Sequence, residues 1–193
     1  MSRYGDWCCT YSGVRFYPLD PREDEIHIED IAHALSLLCR FGGHCREFYS
    51  VAEHSVLVLR IVAKSTTDRR VLRAALLHDA SEAYLIDVPR PIKSHLTNYK
   101  RIEAALQACI DQRFDSAPGL GAELVHHADE VALATEKRDL MPQRSAAWAW
   151  LPDPMADVIA PLSPRAAEIA FLDAFTQLRA DAPPACVDPG VAL

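Results

Sequence analysis

In the stretch LLHDASEAYLIDVPRPIK, residues 76–93, a histidine and an aspartate stand side by side within an apolar run. A buried carboxylate without a strong partner is costly, so such a residue demands a metal ion, a cation or a proton. On a helix of about 3.6 residues per turn, Glu82 falls about 40° from His78 and about 60° from Asp79, so three groups able to bind a metal or move a proton share one side. Val71 and Ala75 precede His78 at helical spacing and set that side against the core. His54 shares a face with Val58, Ile61 and Val62, while Asp129 lies on a stripe with Val125 and Leu133 that continues to Glu136. Two imidazoles and two carboxylates from three helices are thus expected to converge. Completed by water, that set suits one divalent transition metal ion, Mn²⁺, Fe²⁺, Co²⁺ or Zn²⁺, better than Mg²⁺, which seldom takes imidazole. His126 and His127 fall partly or wholly off the Asp129 stripe, so a second ion is not expected; His27, His33 and His95 read as structural or surface histidines.

The elements that must carry these residues are helices. Ile28, Ile31, Leu35 and Leu38 mark a first core helix that ends near Gly42 and Gly43. Ser50 and Glu53 have capping-box spacing, so a second helix begins at Val51. Asp68 can cap a third that runs through residues 69–86 and stops before Pro89 and Pro91. Three more are expected over residues 98–114, 121–141 and 164–180. The expected fold is an all-α bundle of about six helices, preceded by a short extended or hairpin segment at 9–21. Residues 142–164 read as a long proline-rich connection packed on the bundle by Trp148 and Trp150, and residues 183–193 as a mobile tail after a single domain over 1–182.

The bulk properties narrow the partners. A net charge of −7 over 193 residues argues against coating a nucleic-acid polymer or an anionic membrane, while leaving room for a small anionic ligand held by a few cations. No apolar run approaches the roughly 18–20 residues that span a bilayer, and the start MSRYGDWCCT lacks a leader pattern, so a cytosolic protein is expected. The six cysteines, Cys8, Cys9, Cys39, Cys45, Cys109 and Cys186, form no C-x-x-C pair and are expected to be free thiols.

SVAEHS at 50–55, LLHDASEAYLIDVPRPIK at 76–93 and HHADEVALATE at 126–136 resemble the successive motifs of the HD-domain metal-dependent phosphohydrolases. The likeness is greatest to bacterial 5′-deoxynucleotidases and related phage deoxynucleotide phosphohydrolases, and it spans roughly residues 28–141. It implies an HD-type helical bundle in which His54, His78, Asp79 and Asp129 bind one metal ion. Glu82 would be the acid/base residue near the nucleophilic water, and Asp87 a second carboxylate close to the scissile bond. Arg40 and Phe41 match an arginine followed by a large aromatic, which is tryptophan in the deoxynucleotidases and borders the sugar there. Arg40 and Lys93 are the favoured phosphate cations, with His44, Arg46 and Arg90 as further candidates on the glycine- and proline-bearing loops.

The expected activity is removal of phosphate from nucleotides or deoxynucleotides, as monophosphates or triphosphates, with assembly into a homo-oligomer. Ester hydrolysis needs a nucleophile, charge neutralisation at the phosphoryl oxygens and a proton for the leaving group; a divalent ion serves the first two in part and carboxylates serve the third. Two rivals remain in the sequence: a phosphodiesterase for a cyclic nucleotide or alarmone, and a sensor that binds nucleotide without turnover. A sensor would need neither Glu82 nor Asp87.

Overall fold

The structure, a computed structural model, describes residues 3–142, 144–146 and 148–179; the tail expected to be mobile, 183–193, lies outside them. The fold is all-α. Eight helices are described: α1 (Ile28–Leu37), α2 (Val51–Val62), α3 (Arg69–Leu76), α4 (Glu82–Leu85), α5 (Arg90–Lys93), α6 (Thr97–Arg113), α7 (Pro118–Leu140) and α8 (Pro164–Gln177). Two-residue strands β1 (Cys8–Cys9) and β2 (Arg15–Phe16) pair antiparallel, which gives the expected N-terminal hairpin. The hairpin is fastened by Phe16, which is fully buried and stacks on Tyr84 with ring centroids 4.1 Å apart.

Helix α2 is the hub, packed against α1, α3, α7 and α8. Its inward face, Val51, Ala52, Val58 and Val62, is fully buried, as are Ala128 and Ala132 of α7. Small residues on α7 permit close approach to its neighbours. At Gly121 an added Cβ would stand 2.4 Å from Val71 Cγ1, so only glycine lets α7 lie this close to α3.

Three local outcomes differ from the sequence expectations. First, the third helix is not continuous over 69–86: α3 stops at Leu76, residues 77–81 form turns, and α4 begins at Glu82. Gln107 of α6 makes the break tolerable, because its Nε2 donates to the Leu77 carbonyl at 2.9 Å and its Oε1 accepts from the Ser81 N–H at 3.2 Å. Second, α2 does start at Val51 with Ser50 Oγ accepting from the Glu53 N–H at 3.1 Å, but Glu53 does not complete a capping box. Its Oε1 accepts instead from the Leu162 N–H at 2.9 Å, pinning the long connection. Third, Trp150 is 55% exposed and lies against Arg90 rather than the core. Hydrogen bonds also hold the connection, from the Met155 N–H to Thr135 Oγ1 and from the Ile159 N–H to Asp139 Oδ2, each 2.9 Å.

Candidate metal centre

The first turn of α2 supplies His54, the turn after α3 supplies His78 and Asp79, and the middle of α7 supplies Asp129. One donor atom each from His54, His78 and Asp129 can be chosen so that all lie within 4.8 Å of one another. His54 Nε2 is 3.3 Å from His78 Nε2 and 3.2 Å from Asp129 Oδ1. Asp79 flanks this trio: its Oδ2 is 3.1 Å from His78 Nε2 and 3.6 Å from His54 Nε2.

The protonation of the two rings follows from their other nitrogens. His78 Nδ1 lies 2.9 Å from the Ala75 carbonyl, which can only accept, so Nδ1 carries the proton. His54 Nδ1 lies 2.6 Å from Glu136 Oε1, and Glu136 is held ionised: burial alone would raise its carboxyl, but Arg40 and His54 bring it below the ordinary range. In the neutral tautomers, both Nε2 atoms therefore present lone pairs toward each other and toward the oxygens of Asp79 and Asp129. Four electron-rich atoms at 3.1–3.6 Å repel unless a cation or a proton sits among them. The electrostatics carry the same message. Burial and Arg40 both act to lower the His54 pKa, yet Glu136 and Asp129 outweigh them and hold it up at about 9. Asp79 and Asp129 are pulled well below the carboxylate range against the cost of burial, Asp79 chiefly by His78 and Asp129 chiefly by His54. Two imidazoles and carboxylates, each imidazole oriented by a hydrogen bond through its far nitrogen, form a donor set that fits a divalent ion.

Glu136 is the functional residue whose role the sequence left open. It is fully buried, and its second oxygen, Oε2, accepts from Arg40 Nε at 3.1 Å and Nη2 at 3.0 Å. Arg40 is consequently committed: two of its donor nitrogens serve Glu136, and Nη1 stands 3.9 Å from Asp79 Oδ2. The spacing of Glu136 two turns beyond Asp129 signalled an inward acid, but its partners come from distant segments.

The remaining candidates surround the trio unequally. Glu82 is 4% exposed and its Oε2 has no hydrogen-bond partner; burial, then Asp79 and Asp87, push its carboxyl up to about 9. Lys93 Nζ is 3.6 Å from Glu82 Oε1 and 2.5 Å from Glu103 Oε1. Asp87 is half-buried and its carboxyl is raised, by burial first, while Arg40, His54 and Lys93 pull the other way. Its position depends on Ile86, which adopts φ 64° and is held by the Tyr99 hydroxyl donating to its carbonyl at 2.8 Å. A β-branched residue in that region costs about 1–3 kcal/mol, which the surroundings must supply. Arg90 Nη2 reaches Asp129 Oδ2 at 3.3 Å, and its guanidinium lies 5.4 Å from the Trp150 ring centroid.

Phe41 is half-buried with Arg40 over its ring at 5.3 Å, whereas His44 is exposed on the same loop and, among the described residues, makes no hydrogen bond or ion pair with the trio. Arg46 is drawn away, its backbone N–H and guanidinium capping the end of α7 at Leu140 and Asp139. His126 is exposed and pairs with Glu130 at 3.5 Å; it is not part of the trio.

A cavity of about 240 Å³ opens beside His78 and Asp129. Ala74, Pro118, Ala122 and Val125 give it an apolar wall, and Gln107 and Asp111 of α6 add polar groups.

No protein-family model matches the chain. The chain is similar to the uncharacterized protein YfdR of Escherichia coli K12, with 39% identity over 172 residues covering 88% of this chain and 93% of YfdR. It belongs to the YfdR family. An uncharacterized protein of Rhodobacter capsulatus is 36% identical over 142 residues, covering 69% of this chain and 72% of that protein. The names of these relatives assign no activity, so the chemistry rests on the site. No described helix is long and apolar enough to cross a membrane.

Proposed function

We propose that the chain is an HD-type metal-dependent phosphohydrolase acting on nucleotides or deoxynucleotides. The observation that carries the reading is the pair of imidazole Nε2 atoms 3.3 Å apart, each with its far nitrogen engaged as a donor, beside ionised carboxylates. That arrangement has a use when His54, His78 and Asp129, with Asp79 as fourth ligand, hold a divalent transition metal. The ion, when bound, would supply Lewis acidity toward a phosphoryl oxygen and a water molecule.

The chain's own residues account for the rest. Without an ion, burial, then Asp79 and Asp87, raise the Glu82 carboxyl to about 9, and among the described residues Glu82 Oε2 has no hydrogen-bond partner. Glu82 can pass a proton to the leaving oxygen, with Asp87 as the second carboxylate of an acid/base pair. Arg90, its side chain 57% exposed and, among the described residues, ion-paired with Asp129, is the cation best placed to meet a phosphate, with Lys93 and Arg40 Nη1 as further candidates. The cavity beside His78 and Asp129 would take the base. At about 240 Å³ it is smaller than the roughly 300–1,000 Å³ of sites that engulf a whole drug-sized ligand, so it suits a single ring system. Asp111 Oδ1 already accepts from Ser116 Oγ at 2.5 Å and from Gln107 Nε2 at 3.3 Å, which leaves Oδ2 to accept from an amino-bearing base.

The test is incubation of the Mn²⁺- or Co²⁺-loaded protein with nucleoside mono-, di- and triphosphates, with products separated by chromatography. The proposal expects phosphate or polyphosphate release that stops on chelation. Absence of release from every nucleotide would return the site to a sensing role. Within the active set, Asp111→Asn should move preference away from amino-bearing bases by about 5-fold, the worth of one hydrogen bond near 1 kcal/mol.

A further inference from the structure

We infer that Cys39 and Cys45 are a modification site: they form a reversible disulfide that ties together the two ends of the loop carrying Arg40 and Phe41. The inference does not depend on the proposed reaction. The two Sγ atoms lie 3.6 Å apart, both residues are half-buried, and both thiols are free. A disulfide needs an S–S distance of about 2.05 Å, so the pair must close by about 1.5 Å.

The fold, rather than chance contact of two mobile thiols, brings them together. Cys39 sits between two backbone bonds, the Val51 N–H to the Leu38 carbonyl at 3.0 Å and the Arg40 N–H to the Tyr49 carbonyl at 2.9 Å. Cys45 precedes Arg46, whose N–H bonds the Leu140 carbonyl at 2.8 Å. Between them the chain folds back through Phe41, Gly42 and Gly43, at φ 57°, 58° and 81°, which returns Cys45 to Cys39. The enclosed Arg40 bridges Glu136 and Asp79, so a bond across the base of the loop fixes the segment that carries this strut.

The oxidant is a peroxide. One thiol, attacking through its thiolate, displaces hydroxide from the peroxide to give a sulfenic acid, the hydroxide taking up the thiol's proton as water; the second thiol then displaces the sulfenic oxygen as a second water to form the S–S bond. Two thiol hydrogens are lost and one hydrogen peroxide becomes two waters. A thiol reductant reverses the bond by exchange.

Peptide mapping after treatment with hydrogen peroxide tests this. Remaining thiols are alkylated and the chain is digested with trypsin, which separates residues 23–40 from 41–46 because both pieces end in arginine. The expected product is these two peptides joined, two hydrogen atoms lighter than their sum, abolished by dithiothreitol and absent in Cys45→Ser and Cys39→Ala. Amide exchange over residues 41–45 should also slow in the oxidised parent and in neither variant. Recovery of the two peptides unlinked, whether alkylated or carrying sulfinic acid, overturns the inference, and so does linkage of Cys39 or Cys45 to Cys8, Cys9, Cys109 or Cys186.

Discussion

Glu136 and Glu82 are two carboxylates buried against the same centre, 0% and 4% exposed, and their surroundings treat them in opposite ways. Glu136 has both oxygens bonded, to His54 and to Arg40, and is held ionised. Glu82 has one oxygen without a hydrogen-bond partner, a lysine 3.6 Å from the other, and a carboxyl raised to about 9 by burial and its acidic neighbours. The Glu136 side is a finished structural network that orients His54. The Glu82 side stores a proton at a cost in stability, which a purely structural network would have no reason to keep.

Removing one partner from the finished side should have the largest effect. Glu136→Ala leaves Arg40 and the His54 Nδ1–H buried without their acceptor, and chemical denaturation should show a loss of about 3–5 kcal/mol. A loss under about 1 kcal/mol would mean that water replaces the carboxylate and that the two sides are not different in kind.

Glu82→Gln should separate stability from chemistry. Phosphate release should fall at least ~10²-fold, the low end for an acid/base group, while the fold is retained. The pH dependence has a definite sign. Because the folded-state pKa of Glu82 is raised, to about 9, its protonation favours the folded chain, and that contribution is fully present only below the ordinary glutamate range of about 4.3. The contribution is lost as pH rises toward about 9, so chelator-treated Glu82→Gln should gain on the parent steadily across that window. Parallel stability–pH curves for the two proteins would remove the stored proton from the account.

Arg90→Ala should have a smaller effect. A charge-assisted hydrogen bond contributes about 1.5–3 kcal/mol, and Arg90 is 57% exposed, so kcat/KM for phosphate release should drop roughly 10-fold, the low end of that range. Metal content should be unchanged. A parent-like rate would shift the phosphate cation to Lys93.

Local sequence pattern made much of this legible. Ser50 announced the start of α2, and the 3.6-residue periodicity set His54 and Asp129 inward on α2 and α7, where the structure brings them within reach of His78. What escaped the sequence depended on distant partners. Gln107 lies 26 residues beyond Ser81, and its amide is what allows the chain to leave the helix between Leu76 and Glu82. Arg40 and Glu136 are separated by 96 positions, so nothing local revealed that the guanidinium first read as a phosphate clamp is largely engaged by a buried carboxylate. Trp150, expected to pack the long connection on the bundle, is instead 55% exposed with the Arg90 guanidinium 5.4 Å from its ring, a partner 60 positions away.

A metal-binding titration with Mn²⁺ or Co²⁺, paired with elemental analysis, shows whether His54, His78 and Asp129 form a metal site. The parent should bind one ion per chain; Asp129→Ala should lose that ion while keeping its helical circular dichroism, because Asp129 is a half-buried residue in the middle of α7 rather than part of its apolar core. Full occupancy in Asp129→Ala, or no binding by the parent, would contradict the account.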